Sequence, residues 1–187
     1  MLRSVLWLIA SQLLLFSVIP FLSRLYEPVD YADYATFLAF FVVASSVCSL
    51  RLTDVIVVEV EGYLADLIFS IIIISLSFSF LLTVVYCLLV DNAGSIGWGY
   101  LYIALNAQVI IQMASLLDVR NERYGRASMW LALSSITGAL LQLLLSDLQD
   151  GLVYGHIGGV VLISIFAGLS IVRMLSYRSL TAVTTTV

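Results

Sequence analysis

Charged residues are scarce in this chain of 187 residues, which contains 11% Asp, Glu, Lys and Arg, and lysine is absent altogether. A soluble domain carries about 25% charged residues, so this chain has too few of them to cover a water-facing surface. Hydrophobic residues make up 62% of the sequence, and the mean hydropathy is +1.11. The scarcity of charge excludes an ordinary soluble domain and predicts an all-α membrane protein.

Other scarcities exclude further classes of protein. All eight basic residues are arginines and form no basic patch, so no nucleic-acid partner is expected. The two cysteines, Cys48 and Cys87, lie in apolar runs and are expected as buried small side chains, not as a disulfide or a metal pair. The sequence has no cluster with metal-ligand spacing, no nucleophile beside a base and no glycine-rich phosphate loop. We therefore expect neither an enzyme nor a bound metal or cofactor.

The long apolar stretches predict six transmembrane helices. A helix needs about 20 apolar residues to cross the hydrocarbon core. Six stretches, numbered here as spans 1 to 6, meet that length: residues 5–22, 34–52, 64–90, 96–117, 127–146 and 152–174. The first resembles a signal peptide, but no cleavage site follows it, so we expect a retained helix. The connections are short, which predicts a single six-helix unit over residues 1–187.

The distribution of arginines predicts the orientation of the chain. With the N-terminus inside, the outer side receives only Arg24, and Arg51 stays unassigned. Positively charged loops face the cytoplasm, and an even number of spans brings both termini to that side. The inner side then receives six residues: Arg3, Arg120, Arg123, Arg126, Arg173 and Arg178.

Polar side chains recur at helical spacing on several spans. Two interpretations stay open: hydrogen bonds between helices, which contribute about 0.6 to 2 kcal/mol each, or the lining of a water-filled cavity. Serine and threonine favour the first, because they also bond their own helix backbone. Gln108 and Gln112 on one face of span 4 leave both open. The other positions are Ser115 on span 4; Ser75, Ser79, Thr83 and Tyr86 on span 3; Ser128, Ser135, Gly138 and Gln142 on span 5; and Gln12, Ser17, Pro20 and Arg24 on span 1.

Span 6 begins with "GLVYGHIGG", which places Gly151, Gly155 and Gly159 four residues apart on one side of a helix. A neighbouring helix can approach such a stripe to backbone contact, so we expect a packing role for these glycines. His156 lies beside the stripe. We expect a neighbouring hydroxyl or carbonyl group to satisfy its ring, in preference to a role as a proton relay.

The segment "SLRLTDVIVVE" places Arg51 and Asp54 at the end of span 2. About 27 Å of helix separates Arg51 from Asp33, so Arg51 is expected near the inner edge of the hydrocarbon. In one interpretation Arg51 reaches the headgroups and Asp54 is its partner. In the other, the helix continues to about Val58, and Arg51 faces the protein interior as a functional ion.

Several segments resemble the bacterial polysaccharide and O-antigen flippases of the multidrug/oligosaccharidyl-lipid/polysaccharide exporter superfamily. "LSRLYEPVDYADYATFLAFF" is similar to the family's first turn, and "SLRLTDVIVVE" resembles the end of its second helix. "VRNERYGRASMWLALSSITGALLQLLL" and "GLVYGHIGGVV" resemble its basic fourth loop, fifth helix and sixth helix. The chain departs from the family pattern at Ala32, Thr53 and Glu59, where Gly, Glu and Pro are usual.

The resemblance implies transport of a lipid-pyrophosphate-linked oligosaccharide across the bacterial inner membrane, during synthesis of surface polysaccharide such as the O-antigen of lipopolysaccharide. Arg24 and Arg51 would contact the anion, because a guanidinium group offers two donors to a phosphate. Gln108 and Gln112 would meet sugar hydroxyls. No cofactor is implied.

The resemblance also implies two lobes around a central cavity that work by alternating access. Six helices make one lobe, so we expect a second lobe as a partner, either a second copy of the chain in a homodimer or a missing C-terminal half. The alternative is a membrane scaffold or truncated lobe that transports nothing by itself. A proton-coupled drug exporter ranks last, because it predicts a carboxylate deep within a span and none is found in the middle of the predicted spans.

Overall fold

The chain folds into a bundle of helices. The structure, a computed structural model, describes residues 2–59, 63–89, 98–148 and 150–184, and the side chains of 4–59, 63–89, 99–148 and 150–176. Seven helices lie in these ranges: α1 Leu2–Leu25, α2 Pro28–Cys48, α3 Leu52–Val55, α4 Leu64–Leu89, α5 Trp98–Arg120, α6 Tyr124–Leu144 and α7 Gly151–Thr184. No strand is found in the described part of the chain.

Six of these helices, all except the four-residue α3, are long and apolar enough to cross a membrane. They correspond in order to the six predicted spans, so the expectation of an all-α, multi-pass membrane protein is confirmed. Their outer faces are apolar, and exposed side chains such as Phe16, Phe69, Leu88 and Phe166 would meet lipid. Such an apolar surface is stable when lipid surrounds it, and it would not be stable in water.

The predicted end of span 2 is wrong. Residues 34–52 do not form one helix, because α2 ends at Cys48, and Leu50 and Arg51 then adopt φ of 47° and 56°, in the left-handed region. A helix cannot continue through two such residues. The alternative of a continuous helix to about Val58 is wrong for the same reason. The chain turns instead and forms the short helix α3.

Helix α5 lies at the centre of the bundle. Helix α5 packs against α2, α4, α6 and α7, whereas α1 packs along α6 and α4 packs on α2 and α5. Leu101, Leu105, Ile111 and Leu117 of α5 are buried almost completely. Among the described residues, α2 makes no comparably extensive contact with α1 or α6. Toward the end where the α2–α3 turn lies, a groove with α5 at its base therefore separates α2 from α6.

The glycines of α7 lie where this helix meets α6. A Cβ atom on Gly155 would stand 2.5 Å from the backbone nitrogen of Gln142, and one on Gly159 would stand 2.4 Å from that of Gly138. A Cβ on Gly151 would stand 2.1 Å from the carbonyl oxygen of Leu145. Real atoms do not approach so closely, so the backbones of α6 and α7 touch only because these side chains are missing.

The two ends of the bundle differ in charge. The end that holds the α2–α3 turn, the α5–α6 turn and the later part of α7 is called here the arginine end; it contains Arg51, Arg120, Arg123, Arg126 and Arg173. The opposite end, which holds the α1–α2 and α6–α7 turns, is called the acid end; it contains Glu27, Asp30, Asp33, Asp147 and Asp150.

Candidate functional site

A polar cavity of about 430 Å³ opens at the arginine end, where the groove between α2 and α6 meets the α2–α3 turn. It is called here the Arg51 pocket. Arg51 and Gln112, two of the side chains singled out from the sequence, both line it, together with Asp54. The remaining lining residues are Ser46, Ser49, Thr53, Ser115, Leu116 and Leu131. The pocket therefore combines one cation and one carboxylate with amide and hydroxyl groups; the guanidinium can bind a phosphate, and the other polar groups can bind hydroxyls.

The turn after α2 presents Arg51 to this pocket. Ser49 and Thr53 are buried, while Leu50 and Arg51 between them are exposed. Arg120 at the end of α5 holds the following segment in place, because its Nη1 donates a hydrogen bond to the carbonyl oxygen of Ile56 at 2.6 Å. Left-handed backbone at two non-glycine residues is strained, and such strain persists only where surrounding contacts impose it.

Asp54 does not pair with Arg51. Both line the pocket, but no ion pair joins them in the described residues; only the Asp54 backbone N–H bonds the Arg51 carbonyl oxygen, at 3.0 Å. The interpretation in which Asp54 is the partner of Arg51 is therefore wrong. The turn has replaced the straight helix on which residues 51 and 54 would share a face. The Arg51 guanidinium remains exposed toward the pocket.

Gln108 and Arg24 lie apart from this pocket. Gln108 is half-buried on α5, one turn and about 6 Å from Gln112 toward the middle of the bundle. Arg24 is exposed on the last turn of α1, at the acid end. Because the 21 residues of α2 span about 30 Å, Arg24 and Arg51 cannot contact the same phosphate group together. The structure brings Arg51 and Gln112 together and separates Arg24 from both.

The polar stripe of α4 forms hydrogen bonds to α5. Ser75, Ser79 and Thr83 are buried. Asn106 of α5 links two of them, because its Oδ1 accepts a hydrogen bond from Ser75 at 3.1 Å and its Nδ2 donates to the Ser79 hydroxyl at 2.7 Å. Asn106 was not singled out from the sequence, although it stands within the same polar run as Gln108. These bonds hold α4 on α5.

Gln142 and Tyr26 tie the helices together at the acid end. The Gln142 Nε2 donates to the carbonyl oxygen of Leu152 at 2.8 Å, and the Tyr26 hydroxyl donates to the carbonyl oxygen of Gln142 at 2.6 Å. Burial, with smaller effects from Asp30, Tyr31 and Asp147, raises the pKa of Tyr26 to about 12. The phenol therefore keeps its proton at neutral pH and donates throughout the physiological range.

His156 lies among aromatic rings. Its Nδ1 is 3.5 Å from the Tyr34 hydroxyl, and the rings of Phe37 and Phe41 meet it edge-on at centroid distances of 6.2 and 5.3 Å. The Nε2 atom has no hydrogen-bond partner among the described residues. A neighbouring hydroxyl thus meets one ring nitrogen, as expected, whereas the other nitrogen has no partner among the described residues.

Asp118 is the residue that the sequence interpretation missed. The predicted end of span 4 left it in a loop, but it lies in the last helical turns of α5 and its side chain is fully buried. Its Oδ2 accepts a hydrogen bond from the Trp130 Nε1 at 2.8 Å and lies 3.3 Å from the Arg126 Nε. The sequence of residues 118–130 did not predict that Asp118 contacts Arg126 and Trp130, because these contacts depend on the sharp turn between α5 and α6.

The turn between α5 and α6 creates that cluster. Glu122 adopts φ of 59°, the Arg123 N–H bonds the carbonyl oxygen of Asp118 at 2.8 Å, and the Glu122 N–H bonds that of Val119 at 2.9 Å. This pair of bonds is the Schellman motif, which ends a helix and reverses the chain. The reversal places Arg126 and Trp130 of α6 directly against Asp118.

Among the described residues, no group of three or more His, Cys, Asp or Glu side chains could hold a metal ion. Comparison of the chain with protein-family models, with curated proteins and with solved structures gives no match. The resemblance to flippases therefore depends on the sequence segments alone, and the function is argued below from the geometry.

Proposed function

We propose that the chain is one lobe of a membrane transporter that moves a lipid-pyrophosphate-linked oligosaccharide across the bacterial inner membrane. The observation that supports this most directly is the Arg51 pocket, in which an exposed guanidinium without an ion-pair partner in the described residues shares one cavity with Gln112. Arginine offers paired donors that match a pyrophosphate, and an amide side chain matches sugar hydroxyls.

The groove extends the proposed path along α5. Gln108 lies one turn further toward the middle of the bundle than Gln112 and would meet the next part of the cargo. Arg24, at the acid end, would contact the anion after it has crossed, because about 30 Å separates it from Arg51. The cargo would meet these two arginines in succession, as alternating access requires.

A second lobe is part of the proposal. Gln12 of α1 and Ser46 of α2 are exposed, and polar side chains are expensive where they face lipid. A partner lobe would cover these side chains and enclose the Arg51 pocket, which Ser46 lines. A second copy of the chain would enter the membrane in the same orientation, which fits a parallel pair of lobes.

The arginine end would face the cytoplasm. All the described arginines except Arg24 lie at this end, and Lys and Arg are retained on the cytoplasmic side during insertion. Both termini would then be cytoplasmic, and the Arg51 pocket would open toward the side on which lipid-linked precursors are made.

Transport by the purified full chain in lipid vesicles tests the proposal. The measurement is the fraction of a fluorescent lipid-pyrophosphate oligosaccharide that moves between leaflets. Arg51→Gln should lower the rate about tenfold or more, because a charge-assisted hydrogen bond contributes about 1.5 to 3 kcal/mol. Arg51→Lys should retain part of the rate, since the charge remains but the paired donors are lost.

Asp66→Asn is the matched control. Asp66 is exposed at the start of α4, at the same end of the bundle and outside the Arg51 pocket, so its loss should leave the rate unchanged. Equal rates for the wild type and Arg51→Gln, with both chains folded, would contradict the proposed role of Arg51. Wild-type vesicles that transport nothing would favour a scaffold or a lobe without its own activity.

A further inference from the structure

A second cleft, of about 770 Å³, opens at the arginine end between the α5–α6 turn, α6 and α7. It is called here the arginine cleft, and its walls carry Arg123, Arg126 and Arg173 together with Trp130, Phe166 and Met174. The Arg51 pocket lies on another face of α6: Leu131 lines that pocket, whereas Arg126 and Trp130 line this cleft. The two cavities are therefore separate sites.

The arginine cleft carries an excess of positive charge. Asp118 lies behind its wall and neutralises part of the charge of Arg126. Arg123 and Arg173 are exposed and form no ion pair in the part of the chain that the structure describes. Three guanidinium groups therefore face one cavity with a single paired carboxylate, and an anion would relieve their mutual repulsion.

Arg126 is fixed before any ligand arrives. Its Nε lies against Asp118 Oδ2 and its Nη2 donates to the Ser170 hydroxyl, which also lines the cleft. The guanidinium carbon lies 5.8 Å from the centre of the Trp130 ring, and the same Asp118 oxygen holds that ring through its N–H. A side chain already ordered by such contacts loses little entropy when it binds.

The apolar side of the cleft continues along the outer face of α7. Leu162, Phe166 and Leu169 follow one another at helical spacing and are 47%, 56% and 56% exposed. They belong to a membrane-spanning segment, Gly151–Ser176, whose last turn carries Arg173. A basic cavity thus stands at the end of a lipid-facing apolar stripe, at the depth where phospholipid headgroups lie.

We propose that the arginine cleft binds the phosphate headgroup of an anionic phospholipid, whose acyl chain follows Leu169, Phe166 and Leu162. Basic pockets between transmembrane helices recognise anionic headgroups, and arginine donates two hydrogen bonds to one phosphate. A soluble phosphate would satisfy the arginines but would leave the apolar stripe unused. This inference does not depend on the transported cargo.

Fluorescence of Trp130 tests the proposal with the full chain in phosphatidylcholine vesicles. Trp7→Phe and Trp98→Phe leave Trp130 as the single tryptophan. Phosphatidylglycerol with brominated acyl chains should quench Trp130 more strongly than brominated phosphatidylcholine. Arg173→Gln or Arg123→Gln should each lower the preference about fivefold, since one arginine near a charged membrane surface contributes about 1 kcal/mol.

Asp66→Asn is the matched control, because it removes one exposed charge at the same end but outside both cavities. Binding in the cleft should leave its preference within about twofold of the wild type, whereas a diffuse surface charge would raise it. A rise in Asp66→Asn as large as the fall in Arg173→Gln would show a diffuse surface charge and overturn the proposal. So would a wild type without preference, or a preference abolished by excess inorganic phosphate, which would identify a soluble anion as the ligand.

Two further measurements distinguish a loss of lipid binding from misfolding of the variants. Circular dichroism should show the same helix content in every variant, and Arg173→Lys should keep more of the preference than Arg173→Gln. The amount of anionic phospholipid that copurifies with each variant, made in the chain that keeps all three tryptophans, should follow the same order as the quenching preference. A different ranking, with helix content intact, would also overturn the proposal.

Discussion

The two ends of the bundle are held together by different chemistry. At the arginine end, charged groups make the contacts: Asp118 binds Arg126 and Trp130, and Arg120 binds the backbone of Ile56. At the acid end, neutral groups do so: Tyr26 bonds the backbone of Gln142, and glycines let α6 and α7 touch. No ion pair is found at the acid end in the described residues.

The difference in contacts between the two ends goes with a difference in packing. Charged contacts at the arginine end leave two open cavities with exposed guanidinium groups, which are suited to anions. Neutral contacts at the acid end bring backbones together and leave little space between α6 and α7. Both of the arginine-lined cavities in the described residues therefore lie at the arginine end.

The largest expected effect comes from filling the glycine seam near the acid end. Gly155→Ala places a Cβ 2.5 Å from the backbone of Gln142, so α6 and α7 must separate. The free energy of unfolding should fall by about 3 kcal/mol, the upper range for overpacking a tight interior. The measurement is the unfolding midpoint of the purified chain in detergent.

Gly168→Ala is the control on the same helix. Its Cβ would meet only Ile110 Cγ2 at 3.8 Å, an ordinary contact, and alanine favours a helix over glycine. The midpoint should stay the same or rise slightly. If Gly155→Ala and Gly168→Ala unfolded at the same midpoint, the close approach of α6 and α7 would be wrong.

A smaller effect is expected at the arginine end. Asp118→Ala leaves the Trp130 N–H and the Arg126 Nε without their shared acceptor, which should lower the free energy of unfolding by about 2 kcal/mol. Part of the loss is recovered because Arg126 is 40% exposed and can bind water. Asp118→Asn keeps an oxygen for Trp130 and should lose less. Equal losses in the two variants would show that the hydrogen bond to Trp130 contributes nothing.

The sequence predicted the spans and the glycine stripe because both depend on composition and on helical spacing. It did not predict the turn after α2, since Leu50 and Arg51 are not residues that signal left-handed backbone. It also missed the burial of Asp118, whose partners Trp130 and Arg126 approach only after the chain reverses. Arg51 and Gln112 share a pocket through that same unpredicted turn.

At the acid end, Asp150 lies in the turn between α6 and α7 and forms no ion pair within the described ranges. Burial, followed by repulsion from Asp33 and Asp30, raises the pKa of its carboxyl above the ordinary value of 3.8. Its φ is 64°, a left-handed conformation that asparagine adopts as readily as aspartate. Asp150→Asn therefore removes the charge without a change of shape or backbone preference.

The smallest expected effect is the pH dependence at Asp150. A carboxyl whose pKa is raised by folding binds its proton more tightly in the folded state than in the unfolded state. The contribution of Asp150 to the free energy of unfolding is therefore most favourable below pH 3.8, and it is lost as the pH rises through the raised pKa. Unfolding midpoints of the wild type and Asp150→Asn, measured from pH 3 to 7, should therefore diverge as the pH rises, with the variant slightly more stable near neutrality. The opposite result would be a wild type that becomes more stable than Asp150→Asn as the pH rises to neutrality. The Asp150 carboxylate would then have a favourable partner, and contacts at the acid end would not all be neutral.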